Sequence, residues 1–95
     1  MRRIELSPQA RLDLEEIALF GITTFGYAQA EAYQDGLVRQ FETLAEYPRI
    51  GLELKERRGV HRFGYGSHVI FYSFDEDALV VRRVLHGRMD VLLHL

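Results

Sequence analysis

The sequence predicts an α+β fold of order β-α-α-β-β-β, a helical hairpin packed on one face of a mainly antiparallel sheet. Three observations predict it. A helix-start signal, Ser7-Pro8, follows a short alternating run at the N-terminus. A long stripe of Ala30, Tyr33, Leu37, Phe41 and Leu44 then steps by three and four residues. Beyond Pro48 the period changes, and three strand-like runs rich in aromatic and β-branched residues are separated by turn signals.

Each element has its own reason. Arg2 to Leu6 alternates weakly and reads as a first strand. Ser7 caps the orphan amides of a helix that Pro8 opens, and Ala10, Leu14, Ile17 and Gly21 share one of its faces. Thr23-Thr24-Phe25 is a poor helical run, so this helix is expected to fray between Thr23 and Gly26. The second helix carries the apolar stripe, with Glu31, Gln34, Asp35, Arg39, Gln40, Glu42 and Glu46 on its remaining surface, and Pro48 ends it. Arg49 to Gly59 is charged, holds two glycines and reads as an exposed connector. Val60 to Tyr65, His68 to Phe74 and Leu79 to His86 follow as strands, joined through Gly66-Ser67 and Asp75-Glu76-Asp77 into an antiparallel meander. Met89 to Leu95 forms a tail.

Ninety-five residues suit a single domain over 1–95, with one modest core. The apolar share of 47% argues against disorder, and no apolar run approaches the ~20 residues that span a bilayer. Met1-Arg2-Arg3 has no long apolar stretch behind it, which predicts no signal peptide and a cytoplasmic protein without a membrane partner. The absence of cysteine excludes disulfides, thiolate metal sites and a cysteine nucleophile. The net charge of −2 does not suit a polyanion binder, so no direct, specific DNA binding is expected. The charge is nevertheless uneven. Eight acids face four arginines through Tyr47, and eight basic residues face six acids from Pro48 onward, all but Lys55 of them arginine. Arginine favours planar contacts to carboxylate or phosphate.

Several chemistries lack their motifs. Ser7, Ser67 and Ser73 have no nucleophile elbow around them, and Gly64-Tyr65-Gly66 lacks the rest of a phosphate-cradling loop. His61, His68, His86 and His94 show no metal-ligand spacing, so no metal or other cofactor is expected. The most distinctive stretch is Val80 to Asp90, where arginines and a histidine cluster at the end of the last strand. Strand alternation puts Arg82, Val84 and His86 on one face and Val81, Arg83 and Leu85 on the other, with Asp90 able to pair with Arg83 or Arg88.

Here the chain resembles a known family. Arg83-Val84-Leu85-His86-Gly87-Arg88-Met89-Asp90 resembles the closing motif of ParE-type toxins of the RelE/ParE superfamily. Ser7-Pro8-x-Ala10 with Asp13-Leu14-x-x-Ile17, Leu44-Ala45-x-x-Pro48-x-x-Gly51, and Val69-Ile70-Phe71-Tyr72 before an acidic turn resemble its earlier landmarks, in order, over nearly the whole chain. The resemblance implies the toxin of a type II toxin–antitoxin pair that poisons DNA gyrase by stabilising its cleaved-DNA state, without catalysis of its own. It also implies neutralisation by a ParD-like antitoxin. The alternatives are a RelE-like ribosome-dependent mRNA endoribonuclease and a divergent member that only binds its antitoxin. A nuclease of this kind uses a cluster of lysines and arginines, yet Lys55 is the single lysine and no tyrosine follows Tyr72. The nuclease reading would draw on His94, His86, Arg88, Arg83 and Arg62. The poison reading assigns target contact to Arg82, Arg83, His86, Arg88 and Asp90. For the antitoxin, the off-stripe apolar residues Leu12, Leu19, Phe20, Phe25 and Tyr27, with Leu92 and Leu93, form a candidate patch, and Arg57, Arg58, Arg62 and Arg82 could meet an acidic segment.

Overall fold

The computed structural model describes residues 1–88. Their order is β1 (Arg3–Leu6), α1 (Pro8–Phe25), α2 (Tyr27–Glu46), a 3₁₀ turn (Pro48–Ile50), β2 (Leu52–Glu53), β3 (His61–Tyr65), β4 (His68–Phe74) and β5 (Ala78–His86). The five strands form one sheet in the order β1-β5-β4-β3-β2. Only β1, paired with β5, is parallel to its neighbour. Among the described residues no helix is long and apolar enough to cross a membrane.

The start of α1 follows the sequence reading. The Ser7 hydroxyl accepts the Ala10 N–H at 3.0 Å and donates to the Arg82 carbonyl at 2.6 Å, so one side chain caps the helix and ties it to β5. The predicted fraying does not occur: α1 runs to Phe25, and Gly26 alone separates it from α2. At φ +91° and ψ 163° Gly26 holds a conformation open essentially to glycine, which lets one residue reverse the chain.

The predicted stripe of α2 is the core. Ala30, Leu37, Phe41 and Leu44 are buried, and Tyr33 packs beside them half-buried. They meet Ala10 of α1 and Ile70, Tyr72, Leu79, Val81 and Val84 of the sheet. Gly36 lets α2 approach the ring of Tyr65, which occupies the place that a Cβ would take.

Two expectations need correction. The segment 49–59 is more than an exposed connector. The Tyr72 hydroxyl donates to the Pro48 carbonyl at 2.7 Å and accepts the Gly51 N–H at 3.1 Å. Leu54, whose N–H reaches the Val60 carbonyl, joins Val60, Phe71 and Leu85 in a second buried cluster. The alternation expected along β5 also fails. Phe71 pairs with Arg83 and the next residue, Tyr72, with Val81, so Arg82 is an extra residue in a bulge. The bulge resets the alternation, so Val81 and Val84 lie in the same core cluster and Leu85 in the other.

A groove between the helical hairpin and the free end of the last strand

β1 covers only Ala78 to Val81 of β5. Beyond that point no strand among the described residues pairs with the outer side of β5, and α1 supplies partners there through side chains. Asp13, 8% exposed, accepts the Val84 N–H at 2.9 Å. The same carboxylate takes a two-pronged pair of bonds from Arg83, Nε to Oδ2 at 2.8 Å and Nη2 to Oδ1 at 2.9 Å. A carboxylate is costly to bury unless paired and hydrogen-bonded, and these three donors meet that requirement. The hydrogen bond to Asp13 also raises the proton affinity of Arg83 further.

Between this clamp, the two helices and the β3–β4 turn lies an open groove of about 900 Å³. Ile17, Phe20, Phe25 and Ala30 give it an apolar helical wall. Tyr33 of α2 and His68 and His86 of the sheet also line it. The Tyr33 hydroxyl lies 2.6 Å from His68 Nδ1 and 3.1 Å from the Tyr65 carbonyl, and it accepts the Ser67 N–H at 3.2 Å. Tyr33 thus holds the β3–β4 turn to α2. His68 faces His86 directly across the sheet, with ring centres 5.7 Å apart. Burial first, and the nearby His86 second, lower the pKa of His68. Burial raises that of the Tyr33 hydroxyl, against a smaller opposing effect of the Ser67 N–H.

The residues singled out from sequence are only partly brought together. Of the target-contact set, Arg83 and His86 line the groove, Arg82 sits half-buried in the bulge and Arg88 is exposed, its N–H on His86 Nδ1 at 3.2 Å. Among the described residues Arg83 pairs with Asp13, where the sequence reading offers Asp90. Asp90, Leu92, Leu93 and His94 lie outside the described residues. Leu12, Leu19, Phe20, Phe25 and Tyr27 are all exposed, at 58% to 67%. Phe20 and Phe25 meet edge to face at 6.3 Å and line the groove, whereas Leu12, Leu19 and Tyr27 do not line it. Arg57 and Arg58 lie in the β2–β3 loop and Arg62 on β3, separated from β5 by β4. The set proposed for a nuclease is therefore not assembled among the described residues, since Arg62 is absent from the groove that holds Arg83 and His86.

Sequence pattern alone does not mark Asp13, Tyr33 and His68 as site residues. Asp13 had a signal, because it shares a helix face with Ala10 and Ile17 and an acid there must find a partner. The helical period places Tyr33 in the core stripe, and His68 has no signal beyond its place next to a turn.

The matching family model describes the ParE toxin of the type II toxin–antitoxin system parDE and covers residues 4–91. The chain belongs to the ParE toxin family. Over its full length the toxin is 34% identical to Toxin ParE1 of Caulobacter vibrioides, covering 99% of that protein. Solved structures share its fold at lower identity. The chromosomal ParDE system of P. aeruginosa aligns at a TM-score of 0.76 and 17% identity, over 90% of this chain and 96% of that one. The RelBE2 toxin–antitoxin complex of Mycobacterium tuberculosis aligns at 0.69 and 20%, over 90% and 96%. YafQ of E. coli aligns at 0.61 and 14%, over 92% and 94%. At these identities the structural likeness speaks for the helical hairpin and five-stranded sheet alone.

Proposed function

We propose that this ParE toxin acts in the cytoplasm by stabilising the cleaved-DNA complex of DNA gyrase, and that a ParD-like antitoxin neutralises it. The observation that carries the reading is the full-length relationship to Toxin ParE1 together with the family match over residues 4–91. The groove chemistry supports it. Cleavage of RNA needs cations free to stabilise a developing phosphorane. Arg83 is the groove's arginine among the described lining residues, and it is committed to Asp13. In this reading His86 and Arg88 contact the target and break no bond. Antitoxin binding to Phe20 and Phe25 would cover the same groove that His86 enters, so neutralisation follows from occlusion.

One observation favours a second reading, ribosome-dependent mRNA cleavage. Tyr33, His68 and His86 put a hydroxyl and two imidazoles in one groove, groups that can move protons at neutral pH.

The deciding experiment incubates purified gyrase, ATP and supercoiled plasmid with and without the toxin. Accumulation of linear, enzyme-linked DNA is expected, and His86→Ala and Arg88→Ala should reduce it without unfolding the protein. Folded toxin that neither traps cleaved DNA nor slows supercoiling refutes the reading. The next test is then mRNA cutting on ribosomes with His68→Gln as the comparison. A chain inactive in both assays would retain only its antitoxin.

A further inference from the structure

His68 and His86 lie eighteen positions apart in the chain, yet the hairpin sets them in direct register at the mouth of the groove. The Val84 N–H points outward to Asp13. Antiparallel pairs alternate in kind, so His86, two residues on, also turns its backbone outward and forms with His68 the non-hydrogen-bonded pair, in which side chains approach more closely. Both rings then share the face of Ile70 and Val84, the face that packs against the helices.

We propose that His68 and His86 form a two-ligand site for a divalent transition-metal ion, with water completing the coordination. The spacing fits one ion. With a metal–nitrogen bond of about 2.1 Å and about 1.1 Å from nitrogen to ring centre, two imidazoles on one tetrahedral ion have centres about 5.2 Å apart, and at most about 6.4 Å. The observed 5.7 Å falls inside that range.

The surroundings prepare one ligand. With the Tyr33 hydroxyl donating to the Tyr65 carbonyl, His68 Nδ1–H donates to Tyr33 and the Nε2 lone pair is free. A hydrogen bond on the second ring nitrogen is the usual support of a metal-binding histidine. Burial lowers the pKa of His68, which favours the uncharged ring over the imidazolium. His86 is exposed, and the long contact from the Arg88 N–H to its Nδ1 gives way when a metal takes that nitrogen or the ring turns. Of the charged groups that line the groove, Arg83 is neutralised by Asp13 and Glu16 adds a negative charge, while Arg88, next to His86, is exposed to solvent that screens its charge. No group of three ligating side chains exists among the described residues, so the site leaves coordination positions for water and binds weakly. Imidazole ligands rank the ions with Cu²⁺ tightest, ahead of Ni²⁺ and Zn²⁺. A bound ion would clip the ends of β4 and β5 together beside Arg88.

The test needs neither gyrase nor antitoxin, so it stands apart from the functional reading. Untagged toxin is titrated with CuCl₂, NiCl₂ and ZnCl₂ by calorimetry, with histidine ring resonances followed by NMR in the zinc titration. One ion per chain is expected, with His68 and His86 the resonances that move. His86→Gln changes an exposed side chain and should weaken binding about tenfold or more, as should His68→Gln, while His61→Gln leaves it unchanged. Acidification to about pH 5.5 should release the ion. Absence of saturable binding below about 1 mM for all three ions overturns the proposal. Binding that survives His86→Gln overturns it as well, because the ion would then sit on other histidines.

Discussion

Replacing Asp13 with alanine tests the account of β5 most directly. The substitution removes three acceptor contacts at once, two to Arg83 and one to the Val84 N–H. Loss of one partner from a buried ion pair costs about 3–5 kcal/mol when the other charge is left uncompensated. Arg83 keeps some access to solvent, with its side chain 21% exposed, and it has a further interaction, so the lower end applies. A buried amide without an acceptor adds about 1 kcal/mol. The expected loss is about 3–4 kcal/mol, a large share of the roughly 5–14 kcal/mol that holds a chain of this length together. Urea unfolding followed by circular dichroism should show the midpoint fall with little change in slope. Asp13→Asn keeps one acceptor oxygen and should lose less. In a double-mutant cycle with Arg83→Met the two residues should couple by at least about 1 kcal/mol. A loss below about 1 kcal/mol for Asp13→Ala, or additivity in the cycle, would refute the view that this carboxylate completes the edge of β5.

Two further outcomes follow from the packing and the groove. Gly36→Ala should cost about 1–3 kcal/mol, because the new methyl meets the rigid ring of Tyr65, and an unchanged thermal midpoint would show that the helix and ring part easily. His68 has a pKa below its ordinary 6.5, so the unfolded chain binds its proton more readily than the folded one. Its contribution is therefore fully present above about pH 6.5 and is lost as pH falls toward the folded value. Stability measured between pH 8 and pH 5 should decline on the acid side, and less steeply in His68→Gln; parallel curves for the two proteins would assign the decline to other groups.

Much of this architecture is legible from residue pattern because local rules and tertiary packing agree. The stripe on α2 is both the strongest helical period and the buried face. Ser7-Pro8 is read as a cap and acts as one. Legibility stops where burial depends on a distant partner. Asp13 looks like a surface acid until Arg83 and Val84, seventy positions away, are placed beside it. Leu54 is hidden among Glu53, Lys55, Glu56, Arg57 and Arg58, and only the return of Val60 over it makes it core. The bulge at Arg82 has no residue signature, and without it the faces of β5 are assigned wrongly from that point on. The groove suffers the same blindness, since Tyr33, His68 and His86 become neighbours only through strand register.

The short reach of β1 carries a consequence for solubility. A half-covered strand ordinarily offers its free amides and carbonyls as a template on which another chain can build. Along β5 that template is plugged, because the Ser7 hydroxyl occupies the Arg82 carbonyl and the Asp13 carboxylate occupies the Val84 N–H. Among the described residues a second copy of the toxin therefore meets no continuous ladder along this edge, and edge-to-edge pairing of strands is interrupted at Arg82 to Val84. The two side chains that fasten the first helix also keep the strand from growing.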